Sequence, residues 1–115
     1  IKIFKTFYKI KNIEKFNLDL KYIIFSGIGN PSDFKKILLE NNFDIVEEII
    51  FADHYLYNDN DFEKIINKAK KVNLKIVTTE KDYMKIPKKF IKKIEFVSID
   101  VVIQDEVKLI ELLKK

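Results

Sequence analysis

The seven residues Phe51-Ala52-Asp53-His54-Tyr55-Leu56-Tyr57 hold the side chains best suited to chemistry. They include the one histidine of the chain, directly after an aspartate and ahead of two tyrosines. An imidazole titrates near neutral pH, and a neighbouring carboxylate can fix its tautomer, so His54 and Asp53 form a candidate acid–base pair. The same residues also read as an ordinary hydrogen-bonded loop where the apolar run Ile49-Ile50-Phe51 stops.

Two further clusters have comparable potential. Ser26-Gly27-Ile28-Gly29-Asn30-Pro31 contains both glycines of the chain and one of its two prolines. It follows an apolar run and precedes a helical pattern, so Gly27, Gly29 and Asn30 could present backbone N–H groups to an anion. It also reads as a tight strand-to-helix turn whose glycines supply conformational freedom. The spacing is not that of a P-loop, and the third glycine of a dinucleotide fingerprint is missing. The third cluster is Thr78-Thr79-Glu80-Lys81-Asp82. Glu80 or Asp82 could orient a base or meet a metal's water shell, and Lys81 could meet a phosphate. The alternative is a solvated charged loop that caps the next helical turn.

Other chemistries are disfavoured. One histidine among scattered carboxylates lacks zinc-ligand spacing, so no metal site is expected on this chain. Without cysteine there is neither a disulfide nor a thiolate site. No serine sits in a nucleophile elbow.

The elements that would position these clusters follow from periodicity. Residues 1–11 alternate apolar residues with lysine, as an edge strand does. Asn12 to Asp19 is a polar turn region, so this opening segment is expected to form a strand or hairpin arm ahead of the main domain. Lys21 to Phe25 reads as a buried strand, and Phe34 to Asn41 as a helix with Ser32 at its N-cap. Phe43 to Phe51 is a second strand of the main domain. A helix follows over Asp61 to Val72, capped by Asn58 or Asn60. Leu74 to Val77 is the third strand, and Pro87 interrupts a short helix after it. Glu95 to Ile103 is the fourth strand, from which Gln104-Asp105 lead into a closing helix through Leu113. Strands alternating with helices predict an α/β fold with a small, layered, mostly parallel sheet and flanking helices. In such a sheet ligands gather beyond the carboxyl ends of the strands, where all three clusters fall.

At 115 residues, with 47% hydrophobic and 35% charged content, the chain suits one globular domain. The net charge is +4, but every basic residue is lysine, in a chain rich in Ile, Asn and Lys throughout. That pattern is a compositional bias, and the arginines that nucleic-acid recognition usually enlists are absent, so no nucleic-acid partner is expected. No apolar run approaches the length of a membrane span, and no signal peptide is visible. The chain is expected to be soluble and intracellular. It opens at Ile1 with no initiation signal, which reads as the middle of a longer protein.

The three clusters, in this order and at these distances, resemble the C-terminal domain of tetraacyldisaccharide 4′-kinase, the lipid A 4′-kinase. The matching stretches are Phe25-Ser26-Gly27-Ile28-Gly29-Asn30-Pro31-Ser32-Asp33-Phe34, Phe51-Ala52-Asp53-His54 with Tyr57 beyond it, and Thr78-Thr79-Glu80-Lys81-Asp82. Residues 1–20 look like that family's interdomain linker and residues 21–115 like its C-terminal α/β domain. The resemblance implies transfer of the ATP γ-phosphate, with Mg²⁺, to the 4′-hydroxyl of a tetraacyldisaccharide 1-phosphate in Gram-negative bacteria. It implies that ATP and Mg²⁺ are held mainly by an N-terminal P-loop domain, which is the partner of this one. That absent half also supplies peripheral contact with the cytoplasmic face of the inner membrane. His54 would then assist an aspartate of the N-terminal domain, with Asp53 beside it, while Gly27, Gly29, Asn30, Glu80, Lys81 and Asp82 line or buttress the cleft. Family members often carry a second histidine where this chain has Tyr55. The resemblance further implies that the chain alone is inactive. Two readings stand against it: a non-catalytic α/β module that binds an anion or a partner, and a different phosphotransferase domain that shares only the fold.

Overall fold

The computed structural model describes residues 4–105. Its centre is a parallel sheet of four strands: β2 (Lys21–Ser26), β3 (Asp44–Ile50), β4 (Lys75–Thr79) and β5 (Glu95–Val97), in the order β3-β2-β4-β5. Helix α1 (Pro31–Glu40) carries the chain from β2 outward to β3, and α2 (Asp59–Lys71) carries it back across β2 to β4. Two short helices, α3 (Glu80–Tyr83) and α4 (Lys88–Ile91), precede β5. The expected layered α/β architecture is therefore the one found.

Burial follows the period-two geometry of β2. Tyr22 and Ile24 pack with Phe34, Ile37 and Leu38 of α1, whereas Ile23 and Phe25 pack with Phe62, Ile65 and Ala69 of α2. One strand thus feeds two cores, one on each face of the sheet, and every residue from Tyr22 to Ser26 is buried. The apolar run KYIIF is what such a strand needs, because both of its faces leave water. On α2 the inward positions Phe62, Ile65 and Ala69 keep helical spacing. Asn58 accepts from Asp61 N–H at 3.0 Å and Asp61 accepts from Asn58 N–H at 2.9 Å, a reciprocal cap that decides between the two candidate asparagines.

Two sequence expectations need correction. Asn30, not Ser32, caps α1: Asn30 Oδ1 accepts from Asp33 N–H, while Ser32 is a helical residue that donates its hydroxyl to the same oxygen at 2.9 Å. Pro31 takes the first helical position, where its missing N–H costs nothing.

The strand expected over Glu95–Ile103 is two strands in two sheets. β5 stops at Val97, level with the last residue of β4, and beyond it the chain has no parallel partner. From Ile99 to Asp105 it forms β6, antiparallel to β1 (Phe4–Ile10). The break is at Ser98. Its N–H is taken by Asn12 Oδ1 at 2.9 Å and its carbonyl by Lys11 N–H at 2.7 Å, while Asn12 Nδ2 donates to Phe96 O at 2.8 Å.

The opening strand accordingly pairs with the far end of the described chain, and Asn12 to Asp19 contributes a single helical turn at Ile13–Lys15. Gln104 and Asp105 are the last residues of β6. The closing helix expected through Leu113 lies outside the described residues. No helix of the described residues is long and apolar enough to cross a membrane.

Phe25 is the residue through which the core reaches the loops, since it meets Phe51, Tyr57 and Phe62 edge-on with ring centroids 5.9–6.3 Å apart. It is fully buried. Phe25→Ala should therefore cost about 3–5 kcal/mol in equilibrium unfolding by denaturant. A loss below about 1 kcal/mol would show that this ring packing does not support the sheet.

Candidate functional site

All three clusters lie at the carboxyl edge of the parallel sheet, as expected. Chain direction reverses between β2 and β4, because β2 leads outward to β3 and α2 brings the chain back past it. Open α/β sheets bind ligands in the crevice at such a reversal. Here the crevice is closed by a side chain. Asp82, fully buried, accepts Gly27 N–H at 3.1 Å and the Thr79 hydroxyl at 2.6 Å on Oδ2, and the Tyr57 hydroxyl at 3.0 Å on Oδ1. Its own N–H donates to Thr79 Oγ1 at 3.0 Å, which caps α3.

Around that carboxylate the loops fit closely. A Cβ on Gly27 would stand 3.0 Å from the Tyr57 hydroxyl and 3.3 Å from both Ala52 O and Asp82 Oδ1. A Cβ on Gly29 would stand 3.2 Å from Asp53 Oδ2. Neither glycine has positive φ. The turn therefore needs glycine for close approach and not, as its composition suggested, for conformational freedom.

The residue that does take left-handed backbone is His54, at φ 60°. The other described non-glycine residues with positive φ are Asn42 and Asn73, each just beyond a helix end where that conformation is routine. Outside such a place a non-glycine residue in this region costs about 1–3 kcal/mol and persists only where its surroundings dictate it. The surroundings are visible: His54 N–H donates to Gly27 O at 3.3 Å, Phe51 N–H to Ser26 O at 2.8 Å and Tyr55 N–H to Ala52 O at 3.0 Å. The imidazole projects outward and is 75% exposed, with Asp53 Oδ2 3.7 Å from Nε2. That distance is in ion-pair range for a protonated ring and beyond a hydrogen bond.

The remaining expected site residues divide. Gly27, Gly29, Asp53 and His54 are brought together. Asn30 is occupied with capping α1, its Nδ2 donating to Asp33 Oδ2 at 2.7 Å, so the helix N-terminus already has polar partners. Glu80 is exposed and turned aside, with Oε1 accepting the Ser98 hydroxyl at 3.4 Å. Lys81 is exposed. Asp82 joins the loops but faces no solvent, so the three charges of the third cluster do not act as a group.

Tyr57 and Thr79 belong to the site although neither was expected to take part in its chemistry. The Thr79-x-x-Asp82 spacing is a capping signature legible in the sequence. Nothing local marks Tyr57, whose partner is 25 positions away. Among the described residues no three His, Asp or Glu side chains converge on a metal-sized position. A cavity of about 350 Å³ opens at the opposite edge, between Ile66, Lys70, Lys75, Lys92 and Glu95, and includes none of the expected residues.

The profile of the family described as tetraacyldisaccharide-1-P 4′-kinase matches residues 5–115. The tetraacyldisaccharide 4′-kinase of Pelagibacter ubique is 42% identical over 95 residues, covering 83% of this chain and 30% of that protein. The protein of the same name from Bartonella quintana is 38% identical over 72 residues, or 63% of this chain and 21% of its own length. Among solved structures, "apo"-form LpxK from Aquifex aeolicus in complex with ATP superposes with a TM-score of 0.57 at 25% identity, covering 96% of this chain and 35% of that one. The chain thus spans about a third or less of the proteins it matches.

The packing at Gly27 and Tyr57 is testable. Gly27→Ala should cost about 1–3 kcal/mol, because the new methyl meets backbone and the Tyr57 hydroxyl. Wild-type stability on denaturant unfolding would refute the close fit. Burial first, and then the Asp82 carboxylate, hold the Tyr57 hydroxyl well above its ordinary pKa of 10.0. The folded state thus binds that proton more tightly than the unfolded state does. The resulting stabilisation is intact below pH 10 and is lost as pH rises past it. The urea midpoint should fall from about pH 9 to about pH 11, and less steeply in Tyr57→Phe. Some fall remains in the variant because Tyr22 and Tyr55 are raised as well. Equal slopes would show that Tyr57 ionises freely.

Proposed function

The chain belongs to the tetraacyldisaccharide-1-P 4′-kinase family, and from that membership we propose that it is the C-terminal α/β part of a lipid A 4′-kinase. The whole protein would transfer the ATP γ-phosphate to the 4′-hydroxyl of a tetraacyldisaccharide 1-phosphate. The observation that carries a part in that reaction for this chain is His54, exposed, held in left-handed backbone at the carboxyl edge of the sheet.

Phosphoryl transfer depends chiefly on positioning and electrostatic stabilisation, with a nearby group to take the hydroxyl proton. An imidazole fixed by its backbone suits that last task, because a ring nitrogen can accept a proton and give it up again. In this reading His54 receives or relays the proton as the sugar oxygen attacks, together with an aspartate of the preceding domain. Asp53, within ion-pair range, offsets the charge that the ring acquires.

ATP and Mg²⁺ are assigned to the P-loop domain outside this chain. The residues described here do not suit them: no three carboxylate or imidazole groups converge, Asp82 is enclosed, and the α1 N-terminus is occupied by Asn30 and Asp33. The ATP in the Aquifex aeolicus LpxK complex supports nucleotide use by the family. The lipid substrate places the work at the cytoplasmic face of the inner membrane, with membrane contact through the rest of the protein. Gly27 and Gly29 shape the loops, and Glu80 and Lys81 flank the cleft.

The test is ATP-dependent phosphorylation of tetraacyldisaccharide 1-phosphate by the full-length protein that carries this chain. His54→Ala should lower kcat by about 10²-fold, the usual loss when a positioned acid–base group is removed. The 115-residue chain by itself should not turn over. An unchanged kcat would remove His54 from the mechanism, and an inactive wild-type protein would favour the binding-module reading.

A further inference from the structure

Asp82 is the one charged side chain among the described residues that is buried. A carboxylate out of water is costly unless its oxygens are hydrogen-bonded, and here they accept three bonds. With zero exposure, it has no surface to offer a nucleotide, a metal ion or a sugar hydroxyl. It does have two routes to His54. Along the first, Asp82 holds Gly27 by its N–H, and the carbonyl of the same residue accepts His54 N–H. Along the second, Asp82 holds the hydroxyl of Tyr57, three residues after His54, and so ties down the far end of the loop. The segment between these two ties includes the residue with left-handed backbone, a conformation that survives only under outside constraint.

We infer that Asp82 is a positioning residue for His54: its carboxylate fixes Gly27 and Tyr57, and through them the backbone that presents the imidazole. The inference rests on His54 acting in the reaction proposed above. It assigns to the end of the Thr-Thr-Glu-Lys-Asp stretch a task different from contact with substrate.

Replacement by asparagine isolates this role with little change of shape. An amide has one acceptor oxygen, and the Gly27 N–H cannot turn round. The amide oxygen must therefore stay with Gly27, and its NH₂ then faces the Tyr57 hydroxyl, which has to rotate and accept. The Tyr57 tie becomes weaker while the Gly27 tie remains. Tyr57→Phe removes the same hydroxyl and leaves the ring on Phe25, Phe51 and Phe62.

The decisive experiment is a double-mutant cycle in the full-length kinase. It measures kcat, and KM for ATP, for His54→Ala, Asp82→Asn, Tyr57→Phe and each of the latter two combined with His54→Ala. Asp82→Asn and Tyr57→Phe should each lower kcat by about tenfold to a hundredfold, the scale of a small misplacement of a reacting group, with KM for ATP within about twofold of wild type. On a His54→Ala background neither should lower kcat further, because residues that act through one group are not additive.

Effects that multiply with His54→Ala would overturn the inference, as would an unaltered kcat in Asp82→Asn and Tyr57→Phe while His54→Ala is impaired. A His54→Ala enzyme with full activity would overturn the proposed role of His54, and this inference with it. If Asp82→Asn does not fold, the Tyr57→Phe arm of the cycle decides between these outcomes by itself.

Discussion

The hydrogen-bonded carboxylate of Asp82 is the constraint on which the working edge of this protein depends. Three loops meet there, one from each of β2, β3 and β4. A buried charge is stable only when its oxygens are satisfied, so the loops cannot separate without leaving it unpaired. That cost makes the closed arrangement selective. It also accounts for glycine at 27, since a Cβ there would crowd the Tyr57 hydroxyl and the Asp82 carboxylate that bond to each other, and Ala52 O beside them.

The sheet beneath supplies rigidity and the aromatic residues transmit it. β2 is buried on both faces, and Phe25 at its carboxyl end touches Phe51 and Tyr57 of the loop that carries His54. Tyr57 in turn stacks on Phe62 of α2, with centroids 5.2 Å apart. The histidine loop is thus packed from below by rings and tied from the side by hydrogen bonds. A functional group on a loop gains its precision from such a scaffold. The exposed imidazole and the enclosed carboxylate are two ends of one arrangement: one faces solvent, the other is bonded to the loops beneath it.

Much of the fold was legible because its signals are local. The runs KYIIF and LKIV, the helical spacing of Phe62, Ile65 and Ala69, and the Asn58/Asp61 cap each lie within one turn or strand. The departures differ in origin. Ser32 and Asn30 are both good caps, and the role falls to the residue that Pro31 follows. The division of residues 95–105 into β5 and β6 was hidden because one apolar run serves either sheet. What divides it is the length of β4 and the side chain of Asn12, more than 80 positions away.

The sequence by itself determined the α/β order, the three clusters at strand ends and the family they resemble, because periodicity and motif spacing are properties of neighbouring residues. Only the tertiary structure decided which clustered residues face solvent. Asp82 looks like an available acid in the sequence and is sealed in the fold. Asp53 and His54 look like part of an ordinary loop and are exposed on a held backbone. Exposure and hydrogen bonding depend on which distant segments arrive beside a residue. For Asp82 those are Gly27 and Tyr57, at separations of 55 and 25 positions, where no local pattern reaches.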